Sequence, residues 1–240
     1  YNMDDLVRIM TRLRSPEGCP WDREQTYESL LPYLLEESYE YIQAVREDDP
    51  DHMYDELGDV LLQVVFHAEI GRQHGDFDIL DVTTAICRKM LERHPHIFGG
   101  ASAETPEEVA RNWEAIKRRQ RGVTTVKQAM QEVSKGLSPA MRAGKVQQKA
   151  ARAGYAFPEA EDALQAVRNA AVRAEETLSR KHDPEKALGE MLFAAVNAVR
   201  LCGKNADIAL NEATDRFIEG FREDKNPENA INMGKNAPNT

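Results

Sequence analysis

The sequence predicts an all-α protein built from two related helical units, and three observations carry that expectation. Apolar residues recur at helical spacing along nearly the whole chain. No stretch alternates apolar and polar residues long enough to propose a strand. One helical segment recurs: Glu56-Leu57-Gly58-Asp59-Val60-Leu61-Leu62-Gln63-Val64-Val65-Phe66 matches Ala187-Leu188-Gly189-Glu190-Met191-Leu192-Phe193-Ala194-Ala195-Val196-Asn197. An Asp-Pro pair precedes each copy, at Asp49-Pro50 and Asp183-Pro184.

The first helix is expected over 3–14, where Leu6, Ile9, Met10 and Leu13 form one stripe. Pro16, Gly18 and Pro20 mark a loop. Thr26 with Ser29 can start the next helix, although Pro32 argues that its regular part begins near 32 and runs to 47. Further helices are expected at 51–73, 78–93, 106–121, 139–153, 160–180, 184–202 and 205–222. A first domain is placed at 1–121, a linker at 122–138 and a second domain at 139–223. Residues 224–240 are rich in Asn, Pro and Gly and are expected to be disordered.

At 240 residues the chain has room for one large or two small domains. Its 41% hydrophobic and 30% charged content is that of an ordinary globular protein. A net charge of −10 argues against a dedicated nucleic-acid surface. It does not exclude a nucleotide, because a bound cation inverts the local sign. Cys19, Cys87 and Cys202 have neither disulfide-like nor zinc-like spacing, which suits the cytoplasm. No apolar run is long enough to span a membrane, and no signal peptide is visible. The chain opens on Tyr1, so a few residues are expected to precede it.

The chemistry is expected at two acidic signatures, Glu36-Glu37-x-x-Glu40 and Glu56-x-x-Asp59. A helix turns about 100° per residue, so each signature occupies one helix face. Asp59 opens an almost wholly apolar run, and carboxylates beside a core helix require a counter-charge. No Lys or Arg lies between Arg46 and Arg72 to supply it locally. A hard divalent cation would, and an all-oxygen donor set points to Mg²⁺, with Mn²⁺ as a substitute. Acidic pairs at this spacing also occur on plain solvated faces. Two such pairs on helices joined by a short turn favour a site.

The second copy lacks the acidic set. Glu56 corresponds to Ala187, Asp59 to Glu190, and Arg93 to Gly220. The expectation is a scaffold that kept its packing and lost its site, with activity in the first half. A rearranged second site on Glu175, Glu176 and Glu190 is the lesser alternative.

Taken in order, Cys19-Pro20-Trp21-Asp22-x-x-Gln25-Thr26, Glu36-Glu37-x-x-Glu40, Glu56-Leu57-Gly58-Asp59 and Arg93-His94-Pro95-His96-Ile97-Phe98 resemble the MazG nucleoside triphosphate pyrophosphohydrolases. The resemblance runs over about residues 3–223 and includes the tandem repeat. It implies an all-α bundle that dimerises and a Mg²⁺-dependent reaction, NTP + H₂O → NMP + PPi, with broad base tolerance. The family's metal ligands match Glu37, Glu40, Glu56 and Asp59. Glu36 either ligates directly or orients a water, and Glu36 or Glu37 would take that water's proton. Asp55 is a rival ligand one turn before Asp59. The family's basic pair matches Lys89 and Arg93, which would hold the triphosphate. Its Trp-x-x-x-Lys element matches Trp113, for base stacking, and Lys117, for a phosphate. The second half has no such element.

Other residues have plainer roles. His94 and His96 flank a proline at a helix end, where histidine is favoured by the helix dipole. Trp21 is read equally as a base-pocket wall or a core anchor. His67 and His74 are expected to pack or face solvent. The basic run Lys117-Arg118-Arg119-Gln120-Arg121 reads as a solvated helix end. The competing functional class is a helical regulatory protein that binds nucleotides without turnover.

Overall fold

The computed structural model describes residues 1–155 and 159–221, and the described secondary structure is helical. The tail expected to be disordered, 224–240, lies outside those residues. The chain divides into two compact units, Tyr1–Ile116 and Lys117–Thr240.

The first unit contains α1 (Met3–Leu13), α2 (Pro20–Glu24), α3 (Tyr27–Glu47), α4 (Pro50–His74), α5 (Ile79–Arg93), α6 (Pro95–Phe98) and most of α7 (Pro106–Gln120). α3 starts five residues before the expected position. Thr26 and Ser29 form a reciprocal cap, each side chain accepting from the other's backbone N–H. That cap carries the helix through Pro32, which lies inside it without ending it.

α3 and α4 form an antiparallel hairpin joined by two residues. Asp48 takes the left-handed conformation (φ 55°) and its N–H donates to the Ala44 carbonyl, closing α3. The Asp49 side chain accepts from the backbones of Asp51 and His52, and Pro50 occupies the first helical position. At the other end of α4, Gly75 ends the helix at φ 77°. Gly71 must lack a side chain, because a Cβ there would lie 2.7 Å from the Phe77 carbonyl oxygen.

Met10 from α1, Leu30 from α3, and Val65, Phe66 and Ile70 from α4 form the core of this unit. A buried polar network borders it. Glu69, 4% exposed, accepts from Thr11 (3.0 Å), from Arg72 through two nitrogens (2.8 and 2.6 Å) and from Gln73 (3.3 Å). Arg14 donates to Gln73 and to the carbonyls of Asp22 and Gln25, and its guanidinium lies over the Phe66 ring. These bonds tie α1 and the α2–α3 connection to α4, leaving the opposite end of the hairpin for the acidic residues.

The second unit contains α8 (Val126–Gln131), α9 (Pro139–Arg152), α10 (Ala160–Ser179), α11 (Glu185–Leu201) and α12 (Ala206–Gly220). α8 falls within the stretch read as linker, where Thr125 and Gln128 cap it reciprocally. α10 and α11 form a second hairpin, with Ala163, Ala170, Ala174 and Ala198 buried. Their connection, residues 180–184, is longer than the α3–α4 turn. Gln147 donates to the Phe193 carbonyl (2.6 Å), and Ser138 donates to Asp207 (2.7 Å), tying α9 to α11 and α12.

Candidate metal and nucleotide site

The α3–α4 hairpin brings the two acidic signatures together. One carboxylate oxygen from each of Glu37, Glu56 and Asp59 lies within 4.8 Å of the others. Glu37 and Glu56 are half-buried, and Asp59 is exposed. Burial pushes the Glu37 carboxyl above the usual range, and the charges of Asp59, Glu40 and Glu56 push it the same way. A hydrogen bond to Glu40 adds to the shift, so Glu40 joins the group through Glu37. Glu36 is exposed and outside the trio. Asp55 is also exposed and outside it. Its carboxylate instead accepts from the neighbouring Tyr54 hydroxyl, raising the tyrosine above its ordinary value.

Like charges held this close destabilise the hairpin until something neutralises them. Because the folded Glu37 carboxyl titrates above its unfolded value, stability falls as pH rises through that window. In metal-free buffer, Glu37→Gln is therefore expected to raise the unfolding free energy at pH 7 by less than about 1 kcal/mol for so solvated a group, and the melting midpoint with it. The gain should fade toward pH 3, where Glu37 is protonated in both states. A variant that melts below the wild type at pH 7 would contradict the repulsion.

His52 was not singled out from the sequence. Its Nε2 lies 3.0 Å from Glu56 Oε1 and its Nδ1 3.4 Å from Glu47 Oε2. The i,i+4 spacing of His52 and Glu56 was the signal available for it.

The basic pair falls on α5, with Lys89 exposed and Arg93 half-buried. The Arg93 guanidinium lies over the Trp113 ring, 5.2 Å from its centroid, and His94 meets the same ring edge-on at 5.0 Å. Trp113 thus organises Arg93, a role that sequence spacing did not reveal. Lys117 follows one turn later on α7 and is the first residue of the second unit. Trp21 is 51% exposed and meets Tyr33 and Phe66 edge-on, which suits a wall at the core's margin.

In the second unit, the Arg173 side chain lies 3.8 Å from Glu190, the counterpart of Asp59. Among the described residues, no comparable grouping of Asp, Glu, His or Cys occurs there.

The described secondary structure is thus helical, with carboxylates converging from both limbs of a tight hairpin. Residues 25–98, which hold that hairpin, match the MazG nucleotide pyrophosphohydrolase domain. The chain is 39% identical over 226 residues to the nucleoside triphosphate pyrophosphohydrolase of Escherichia coli K12, covering 92% of this chain and 86% of that protein. It is also 39% identical to the nucleoside triphosphate pyrophosphohydrolase/pyrophosphatase MazG of Thermotoga maritima, covering 91% and 84%. A crystal structure of a mazG-related protein from Thermotoga maritima aligns with 48% of this chain and 99% of its own, at 26% identity and a TM-score of 0.42. The chain belongs to the MazG nucleoside triphosphate pyrophosphohydrolase family.

Proposed function

We propose that this chain hydrolyses nucleoside triphosphates to monophosphates and pyrophosphate, using Mg²⁺, as a broad-specificity guardian of the nucleotide pool. The observation that carries this reading is the convergence of Glu37, Glu56 and Asp59, inside the segment matching the family domain. The donor set fits a hard cation. All donors are oxygens, and they lie within 4.8 Å of one another, so modest side-chain adjustment would let one hard cation bridge them. Burial raises the Glu37 carboxyl, and the charges of Asp59, Glu40 and Glu56 raise it further, a repulsion that a cation would relieve.

Glu37, Glu40, Glu56 and Asp59 would hold the ion. When bound, Mg²⁺ supplies charge neutralisation on the triphosphate and acidifies a water for attack. Glu36, exposed at the rim, or Glu37 would accept the proton of the water attacking the α-phosphorus. Lys89 and Arg93 would grip the phosphates, because positioning and electrostatics dominate this chemistry. Trp113 would keep Arg93 extended and offer its remaining face to a base, with Lys117 one turn beyond for a phosphate. A homodimer is supported by two uncovered apolar stripes, Leu31, Leu35 and Tyr39 on α3 and Leu57, Leu61 and Val64 on α4. Three free thiols suit a cytoplasmic setting. Among the described residues, no helix is long and apolar enough to cross a membrane.

The test is anion-exchange analysis of products from a panel of NTPs and dNTPs, with Mg²⁺ and with EDTA. Metal-dependent monophosphate plus pyrophosphate is expected. Diphosphate plus phosphate would overturn attack at the α-phosphorus, and no turnover of any nucleotide would favour a nucleotide-binding regulatory role.

A further inference from the structure

His52 is joined to the carboxylate trio but is no part of it. It is the third residue of α4, with its backbone N–H held by Asp49 Oδ1 at 3.2 Å. From there its ring spans two carboxylates, with Nε2 3.0 Å from Glu56 and Nδ1 3.4 Å from Glu47. Glu47, the last residue of α3, is held from its own helix, where Gln43 Nε2 donates to Glu47 Oε1 at 2.7 Å. A continuous run therefore leads from Gln43 through Glu47 and His52 to Glu56, crossing the hairpin turn. Glu56 has only 15% of its side chain exposed, so few rotamers are open to it.

We propose that His52 is a positioning residue that fixes the Glu56 carboxylate toward Glu37 and Asp59, with Glu47 as its anchor. This rests on the metal-site reading above. Without the imidazole, Glu56 would swing away from a cluster whose like charges repel it, and its reorientation would fall on metal affinity. Groups that orient a ligating carboxylate typically contribute 10–100-fold to metal affinity.

Amide side chains separate the two ring contacts. The nitrogen of glutamine reaches about as far as Nε2, toward Glu56. The nitrogen of asparagine reaches only as far as Nδ1, toward Glu47. The measurement is Mn²⁺ affinity of the full chain without nucleotide, read by electron paramagnetic resonance of free Mn²⁺. His52→Ala and His52→Asn are expected to weaken binding about tenfold, and His52→Gln to stay within about twofold of wild type. Circular dichroism and melting midpoint should be unchanged in all three, because His52 is half-exposed and makes no core contact. Wild-type affinity in His52→Ala, or equal losses in the Gln and Asn variants, would overturn the assignment. Failure of the wild type itself to bind Mn²⁺ would overturn the metal site and this proposal with it. The two failures are thus told apart by which protein shows them.

Discussion

Asp59→Ala is expected to lower metal-dependent nucleotide turnover by on the order of a thousandfold or more, with helical content unchanged. A Lewis-acid ion contributes several kcal/mol of transition-state stabilisation, and each 1.36 kcal/mol is a tenfold change in rate. Asp59 supplies one of the three converging oxygens, and its loss leaves Glu37 and Glu56 with Glu40, which reaches the group only through Glu37. The fold should not suffer, because Asp59 is exposed in the interior of α4 and alanine is the better helix former. The neighbouring Asp55→Ala serves as the contrast. Its carboxylate is occupied by Tyr54 and lies outside the trio, so most activity should remain. Near-full turnover by Asp59→Ala at saturating Mg²⁺ would sink the ligand assignment.

Glu69→Ala is expected to destabilise the first unit by about 3 kcal/mol at pH 7, the lower end for removing one partner of a buried ion pair. Four hydrogen bonds converge on this carboxylate, from three side chains on two helices. Arg72 is half-exposed and would recover water, which keeps the cost at the lower end. Burial by itself pushes the Glu69 carboxyl up, but hydrogen bonds from Arg72 and Thr11 and the charge of Arg72 outweigh it and hold it below the ordinary range. A depressed carboxyl adds stability above the unfolded value of about 4.3, and that stability is lost as pH falls through the folded value. The wild type should therefore lose more stability than Glu69→Ala between pH 7 and pH 3. Urea melts at the two pH values measure both quantities. A cost below 1 kcal/mol at pH 7, or parallel losses on acidification, would show that the network contributes little.

Long helices were legible because their signals are local and repeated. Asp49-Pro50 at the start of α4 and Gly75 after its end bracket a helix that periodicity alone locates within a residue or so. Signals that compete were harder to weigh. Pro32 argued for a late start to α3, but it removes only one backbone donor, and the Thr26–Ser29 cap outweighs that loss. α8 has six residues, too few for a period to emerge, and its mark was again a cap, Thr125 with Gln128. At the site, i,i+3 and i,i+4 spacing identified the carboxylates, since such spacing dictates a shared face. Spacing says nothing of what a side chain meets on another helix. The Arg93–Trp113 stack joins residues 20 apart in the chain, and the Glu47 contact of His52 crosses a turn. Glu36 and Glu37 are adjacent in sequence, yet only one points into the trio, because 100° of rotation separates them.

The two residues between α3 and α4 leave no slack in the chain. One inserted residue there would disturb the Asp48 closure and the Asp49 cap beside the acidic signatures, while the core contacts of Val65, Phe66 and Ile70 hold the rest of α4 in register. The longer connection at 180–184 can take up an extra residue as loop. The two halves of this molecule therefore tolerate insertions and deletions unequally. A chain lengthened at the first hairpin should lose stability and activity together, whereas one lengthened at the second should go unnoticed by the chemistry.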